Sequence, residues 1–127
     1  MKIHSWESML NKANHDSKVG IKIAKLNEYN GISTFLTTLD VGKSVTPHFH
    51  KEGVEHYHII QGHGTLHLKN MLDGTTYSLS IKAHQSFTIE ENILHQLTNN
   101  GQSQLVLMFS CPETHLDIDR YFDEESY

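Results

Sequence analysis

Four residues have the types and the spacing of metal ligands. His48 and His50 stand two positions apart in a segment that is predicted to be a β-strand. Side chains at positions i and i+2 of a strand share a face, so both imidazoles can bind one ion. Glu55 follows a short turn around Gly53, and a hairpin there would return its carboxylate to the same face. Together with His95, on a later predicted strand, these side chains suit Zn, Fe, Mn, Ni or Co.

One divalent transition metal ion per chain is therefore the predicted cofactor. Histidine is the commonest metal ligand, and the chain has eleven among its 127 residues. On the strand that begins at Glu55, strict alternation places His56 and His58 on the face opposite to Glu55 and Tyr57, outside the ligand set. We expect three further histidines on the surface and three at the chain ends without a functional signal: His63, His67 and His84, and His4, His15 and His115.

The elements that must position these ligands are short strands. Gly20, Gly31, Gly42 and Gly53 recur at regular spacing, and turn signals about every 8–12 residues are typical of a sandwich or barrel. The intervening segments are rich in Thr, Ile, Val and aromatic residues, as strands prefer. The predicted strands cover residues 21–26, 32–39, 44–50, 55–60, 65–69, 76–81, 86–89, 94–98 and 105–111.

Helix is predicted only at the two ends, over residues 6–12 with Ser5 as the N-cap and over residues 116–125. No linker or low-complexity stretch divides the sequence, and 127 residues suit one core. The fold class is therefore predicted as all-β, a sandwich or barrel with short helical ends. We expect a single domain over residues 1–127, with its strand-rich core at about 19–111.

Composition argues against several classes of protein. The net charge is −5 and Arg120 is the single arginine, which disfavours a nucleic-acid partner. No apolar run approaches the ~18 residues of a membrane-spanning helix, and the first 20 residues lack the apolar region of a secretory signal. The single cysteine, Cys111, excludes a disulfide within the chain and fits the reducing cytoplasm, where we expect the protein to be.

The candidate ligands resemble the two motifs of the cupin superfamily. Its first motif is Gly, five residues, His-X-His, three or four residues, Glu, six residues, Gly. In this sequence, those positions are Gly42, His48, His50, Glu55 and Gly62, with no departure.

The second cupin motif is matched at its metal-binding end. That motif is Gly, five residues, Pro-X-Gly, two residues, His, three residues, Asn, and His95 and Asn99 occupy its last two fixed positions. The chain departs from it at His84, Glu90 and Asn92, which stand for Gly, Pro and Gly. Asn tolerates a positive φ better than most residues do.

The resemblance spans about residues 32–111. It implies a jelly-roll barrel of two antiparallel sheets, with the metal inside the barrel near one mouth. It also implies a metal-ligand set of four residues, namely His48, His50, Glu55 and His95.

The function must be argued from the site, because many functions share a fold. The leading candidate is an isomerase-like enzyme for a sugar or sugar phosphate, in which the metal polarises a carbonyl and Glu55 or Tyr57 moves the proton. Residues 117–123 resemble the tail of small mannose-6-phosphate-isomerase-like cupins. A phosphate would need a cation facing the metal, and the candidates are Lys43, Lys69, Lys82 and Arg120.

Two other functions compete with the isomerase. An Fe(II)-dependent dioxygenase would use the open coordination positions and an apolar pocket. A non-catalytic cupin would use the metal only to anchor a ligand. The candidate substrate-binding residues are Phe49, Lys69 and Phe109. For the dioxygenase, the apolar pocket would come from Phe49, Tyr57, Ile59, Met108 and Phe109.

A homodimer is the predicted assembly. A small barrel has strand edges that proteins usually pair or cover, and two-fold dimers are the commonest solution. Ile60, Leu66 and Leu68 are predicted to be outward-facing apolar residues that a partner copy would cover. Besides a second copy, the expected partner is a small-molecule substrate or ligand.

Overall fold

A computed structural model describes residues 1–123 of the chain. Nine strands in this part form two antiparallel sheets, which confirms the predicted fold class. The six-stranded sheet has the order β1-β2-β3-β9-β4-β7, and the three-stranded sheet has the order β6-β5-β8. The strands are β1 Asn14–Asp16, β2 Ile21–Tyr29, β3 Ile32–Leu39, β4 Glu55–Gln61, β5 His63–Asn70, β6 Thr76–Lys82, β7 Ser86–Ile89, β8 Ile93–Thr98 and β9 Leu105–Pro112.

The core lies between the two sheets and follows from the alternation of each strand. On β9, every second residue from Leu105 to Cys111 is buried, and the residues between them are only half-buried. Phe109 of this strand stacks on Phe35 with a ring-centroid distance of 5.2 Å. Tyr57 on β4 lies on the other side of Phe109, at 5.3 Å. This inner face forms the wall against which the candidate ligands pack.

Residues 44–50 do not form the continuous strand that was predicted. Isolated bridges pair Ser44 with Thr98 and His48 with His95. Between and including these pairs, five residues of the first segment (44–48) lie opposite four of the second (95–98), so the register is irregular. Pro47 lies between the two bridges and has no N–H for a regular ladder. The segment still carries its two histidines along the edge of β8.

The helical ends are only partly as predicted. Helix α1 spans Trp6–Lys12, but Ser5 makes no side-chain capping bond. The helix predicted at 116–125 is wrong within the described residues, because a 3-10 turn at Glu113–Leu116 is followed by irregular chain. Residues 124 and 125 lie outside the described part. Up to residue 123, no helix is both long and apolar enough to span a membrane.

The outward apolar residues are not those that the sequence suggested. Leu66 and Leu68 are buried in the core, so their predicted exposure is wrong. Their cross-strand neighbours on β6 are Leu79 and Tyr77, whose side chains lie on the same face of the sheet. Because β6 is the edge strand, these two side chains are half exposed. Ile60 is half-buried.

Candidate metal centre

The four predicted ligands come together at the inner face of the barrel. His48 and His95 exchange backbone hydrogen bonds, which sets their rings side by side. One ring nitrogen from each of His48, His50 and His95 lies within 4.8 Å of the other two. Glu55 completes the group, with its Oε2 3.1 Å from Nε2 of His50 and its Oε1 3.5 Å from Nε2 of His95. All four side chains are buried.

A tight turn places Glu55 at the start of β4. Gly53 has a φ of +83°, and a Cβ on this residue would lie only 2.8 Å from Cγ of Pro112. Two features therefore require glycine at position 53: the left-handed backbone conformation and the close approach of the Pro112 ring. Its N–H donates to the carboxylate of Glu91, which fixes the turn against the loop before β8.

The three histidine rings are held in one tautomer. In each ring, Nδ1 lies within hydrogen-bond distance of a backbone carbonyl, and a carbonyl can only accept. Nδ1 therefore carries the hydrogen, and Nε2 keeps a free lone pair that is directed into the cluster. The acceptors are the carbonyls of Thr46 for His48 at 2.7 Å, Asp119 for His50 at 2.6 Å and Ile93 for His95 at 3.0 Å.

Two of these three lone pairs are buried without a hydrogen-bonding partner. Nε2 of His50 and Nε2 of His95 are buried without one, although both face the carboxylate of Glu55. Acceptor atoms at such distances repel one another unless a cation lies between them. Ligands about 2.0–2.2 Å from one ion lie about 3 Å from each other, as these atoms do. The donor set therefore fits one divalent transition metal ion.

Two hydrogen bonds hold the carboxylate of Glu55. Tyr57 donates its hydroxyl to Oε1 at 2.7 Å, and His115 donates from Nδ1 to Oε2 at 2.9 Å. Burial by itself would raise the pKa of Glu55, but the bond from His115 and the interactions with the facing rings of His50 and His95 together outweigh burial, so the pKa lies well below its usual range. Burial and the charge of Glu55 raise the pKa of Tyr57 well above its usual value. Tyr57 therefore stays a neutral phenol that donates a hydrogen bond to Glu55.

His115 is the residue that sequence reasoning missed. It was assigned no role, yet it is fully buried and stacks on His50 at 4.0 Å with nearly parallel rings. Its Nε2 faces the carbonyl of Glu52 at 2.5 Å, so both ring nitrogens face acceptors and both carry hydrogen. Burial lowers the pKa of His115, but the bonds to Glu55 and to the carbonyl of Glu52, with the negative charges of Glu55 and Asp119, together outweigh burial and raise it. No spacing signal could have found this contact, which joins residues 60 positions apart.

The other histidines lie away from the cluster. His56 and His58 are exposed on the outer face of β4, as their parity predicts. There, Nδ1 of His56 is hydrogen-bonded to the hydroxyl of Thr88, and Nδ1 of His58 to the hydroxyl of Ser86, both on β7. The three predicted surface histidines, His63, His67 and His84, are also exposed.

The two residues that replace glycines of the second cupin motif keep the positive φ that a glycine would adopt there. His84 and Asn92 stand where the motif has Gly, and both have a positive φ, 72° and 61° respectively. Asn adopts this region more readily than most residues, whereas His84 adopts it at a local cost. The loop therefore delivers His95 to the cluster without the motif's glycines. Asn99 is fully buried, and its side chain bonds the carbonyls of Leu39 and Ser103.

The cluster faces a small cavity of about 50 Å³ between the sheets. Tyr57 and Phe109 line it, as predicted. Phe49 does not, because its ring points away from the two flanking histidines and packs on Tyr121 at 5.5 Å. Ile59 and Met108, also suggested for an apolar pocket, are not in the lining.

Of the four candidate cations for an anionic substrate, only Arg120 lines the cavity. Lys69, which was also a candidate substrate-binding residue, is instead paired with Asp123, with its Nζ 2.9 Å from Oδ2. Lys43 and Lys82 are exposed and lie outside the lining. Among residues 1–123, the one lysine or arginine that lines the cavity therefore belongs to the segment after the barrel.

Comparisons with known proteins identify the family and the fold of this chain. The family described as Polysaccharide biosynthesis C-terminal domain matches residues 16–120. No curated protein matches the sequence. Among solved structures, the capsular polysaccharide assembling protein CapF from Staphylococcus aureus is similar with a TM-score of 0.72 and 16% identity. That match covers 87% of this chain and 33% of CapF, so the chain spans about a third of that protein.

Two further structures are similar over nearly the whole chain. A recombinant oxalate oxidase in complex with glycolate has a TM-score of 0.71 and 20% identity, and the match covers 94% of this chain and 62% of the oxidase. An uncharacterized protein with a double-stranded β-helix domain from Klebsiella pneumoniae has a TM-score of 0.71 and 15% identity, and the match covers 98% of both chains. At these identities, the similarity establishes a shared fold, the double-stranded β-helix of cupins.

Proposed function

This chain belongs to the polysaccharide biosynthesis C-terminal domain family, and from that premise we propose that it is a metal-dependent cupin that carries out isomerase-like chemistry on a sugar. The observation that carries the metal site is the shared tautomer of the three histidines. Their Nε2 lone pairs and the ionised Glu55 converge on one point, and they need a cation there. The sugar class is supported by the family and by the similarity to CapF.

The residues of this chain divide the chemistry between them. When bound, a divalent ion would polarise a carbonyl or orient neighbouring hydroxyls of the substrate. Glu55 is the one carboxylate among the described residues that line the cavity, and we assign to it the role of proton acceptor. Tyr57 donates to Oε1 of Glu55 and can pass its proton to an oxygen of the substrate.

A solvent-exchange experiment tests this proposal without a known substrate. The metal-loaded protein is incubated in D₂O with aldoses, ketoses, their phosphates and sugar acids, and deuterium at the carbon beside the carbonyl is measured by NMR. The proposal predicts exchange that Tyr57→Phe weakens and His56→Gln leaves unchanged. Absence of exchange with every sugar would contradict isomerase-like chemistry.

The second candidate function is that of an Fe(II)-dependent dioxygenase that acts on a small oxyacid. It is favoured by the cavity of about 50 Å³, which has room for only a few water-sized groups of about 10–15 Å³ each. It is also favoured by the similarity to an oxalate oxidase that binds glycolate. Oxygen consumption by the iron-loaded protein would support this candidate. A protein that neither exchanges protons nor consumes oxygen would be the non-catalytic binder.

We also propose that the chain forms a homodimer, through β6 rather than through the residues first suggested. β6 is an edge strand whose Tyr77 and Leu79 are 49% and 50% exposed, and Leu72 in the preceding turn is also exposed. Lys82 is the only charged residue on this strand, so the edge lacks the charges that usually block pairing. A second copy of the same strand would satisfy its free backbone groups.

The single cysteine supports the proposed cytoplasmic location but not a role in catalysis. Cys111 is free and buried beneath the site. Burial and the negative charge of Glu55 raise the pKa of its thiol far above the usual value, so the reactive thiolate does not form at neutral pH.

A further inference from the structure

Arg120 is a buried cation on the wall of the candidate metal cavity. Its side chain is only 6% exposed, and its Nη1 donates to Oδ2 of Asp16 at 2.8 Å. Its guanidinium carbon lies 5.8 Å from the ring centroid of Phe122, and that ring lies 6.3 Å from the ring of His48. The ring of Phe122 therefore lies near both the guanidinium and a candidate metal ligand.

The charge of Arg120 is permanent, so its burial needs a reason. A guanidinium does not lose its proton in proteins, and burying a charge is costly unless the charge is paired. Asp16 supplies one pairing, and its bond uses one of the five N–H donors of the guanidinium. Arg120 is also the only Lys or Arg that lines the cavity, within residues 1–123.

We propose that Arg120 binds a carboxylate group of the small molecule that the metal centre holds. This inference rests on the proposed metal site and narrows its ligand to an organic acid or sugar acid with at least one carboxylate. The planar guanidinium presents paired N–H donors that match the two oxygens of a carboxylate. A carboxylate fits better than a phosphate, because the cavity is small and a single arginine, already paired with Asp16, offers little charge for a dianion.

Arg120 also stands where a ligand would enter. Together with Ile23 and Leu116, it lines both the inner cavity and an open groove on the outside of the barrel. The groove is formed mainly by residues 14–18 and 113–117. Because Arg120 lies between the inner cavity and the outer groove, its guanidinium would bind an anion that enters from the groove and would hold it facing the metal.

The competing explanation is that the pair of Arg120 and Asp16 only ties the segment after the barrel to β1. Under that explanation, loss of either partner would lower the melting temperature similarly and leave ligand preference unchanged. Under our proposal, Asp16→Asn keeps the preference for carboxylates, because the guanidinium is freed rather than removed. The two residues therefore have separable roles.

The test compares malonate with its monoamide, malonamate, which has nearly the same shape but only one carboxylate. Affinities are measured by calorimetry on the metal-loaded protein for the wild type, Arg120→Gln, Arg120→Lys, Asp16→Asn and the control Lys25→Gln, a cation of the outer groove. We expect a wild-type preference for malonate of about tenfold or more, as a charge-assisted bond provides. Arg120→Gln should reduce this preference at least about fivefold, Arg120→Lys partly, and Lys25→Gln not at all.

Several results would overturn the proposal. One is a wild-type preference retained in Arg120→Gln, and another is tighter, Arg120-dependent binding of inorganic phosphate than of malonate. If Arg120→Gln does not fold, a preference unchanged in Arg120→Lys would overturn it in the same way. Metal content is measured first by elemental analysis, so that a failure of the proposed metal site can be distinguished from a failure of the proposed role of Arg120. If the protein holds no metal, an Arg120-dependent preference in the metal-free protein would support Arg120 alone, and its absence would refute it.

Discussion

His115 and Glu55 form a buried ion pair, with Nδ1 of the histidine donating to Oε2 of the glutamate at 2.9 Å. The imidazolium keeps the carboxylate ionised and fixes its orientation, which are two conditions for metal binding. The pair links the 3-10 turn after β9 to the first residue of β4. The segment that follows the barrel is therefore part of the candidate metal site.

The first prediction concerns this pair. Replacing His115 by Leu removes the donor and leaves the buried carboxylate with one hydrogen bond, from Tyr57. We expect metal affinity to fall by about 10–100-fold, as is typical when a partner of a ligand is lost. Competition with a fluorescent chelator measures the affinity, and His67→Leu, on the outer surface, is the control. Equal affinity in both variants would mean that His115 does not orient Glu55.

Tyr57 should matter more for proton transfer than for metal binding. Tyr57→Phe removes one hydrogen bond to Glu55, worth about 0.5–1.5 kcal/mol. Metal affinity should therefore fall by no more than about tenfold. Deuterium exchange into a sugar substrate should fall by about 10²–10⁴-fold, the usual contribution of a positioned acid or base. Exchange at the wild-type rate would remove Tyr57 from the proposed mechanism.

The response to pH should depend on the metal. Burial, with the charge of His95 adding to it, lowers the pKa of His48 well below its usual value, so its contribution to stability is present above about pH 6.5 and lost as the pH falls. The pKa of His115 is raised, so its contribution is present below about pH 6.5 and lost as the pH rises. The two contributions change in different pH ranges: that of His115 changes above about pH 6.5, so of these two groups only His48 costs the metal-free protein stability below that pH. The contribution of Glu55, whose pKa is lowered, is lost only below about pH 4.5.

In the metal-loaded protein, protons compete with the ion for three imidazoles, so acid should release the metal and its stabilising effect. We therefore expect the melting temperature to fall steeply from pH 7 to pH 5 with metal and only slightly without it. Thermal melts at several pH values, with and without a chelator, measure both slopes. Equal slopes would show that the site does not govern the acid response.

The dimer prediction concerns the edge of β6. Sedimentation should give a dimer at micromolar concentration for the wild type and a monomer for the double variant Tyr77→Lys/Leu79→Lys, because inserted charges block strand pairing. The double variant Ile32→Lys/Val41→Lys, which adds charge at exposed apolar positions away from β6, should stay dimeric. A wild type that remains monomeric at high micromolar concentration would contradict the prediction.

Much of the barrel was predictable because alternation and turn residues are local. The face of β4 that carries Glu55 and Tyr57 follows from parity alone, as does the outward position of His56 and His58. The role of His115 was not predictable, because it depends on a contact across 60 residues. The path of residues 44–50 was missed because Pro47 interrupts a ladder that β-propensity favours. The chain after residue 116 has a helical composition, but its contacts with the metal site override that preference.

Metal stoichiometry in two matched double variants tests the central claim most directly. His48→Ala/His50→Ala removes two proposed ligands, whereas His56→Ala/His58→Ala removes two histidines of the same spacing on β4, whose side chains are exposed. Elemental analysis of protein loaded with zinc and then dialysed should give about one ion per chain for the wild type and for the second variant, and almost none for the first. Full metal content in His48→Ala/His50→Ala, with the fold intact by circular dichroism, would contradict the account.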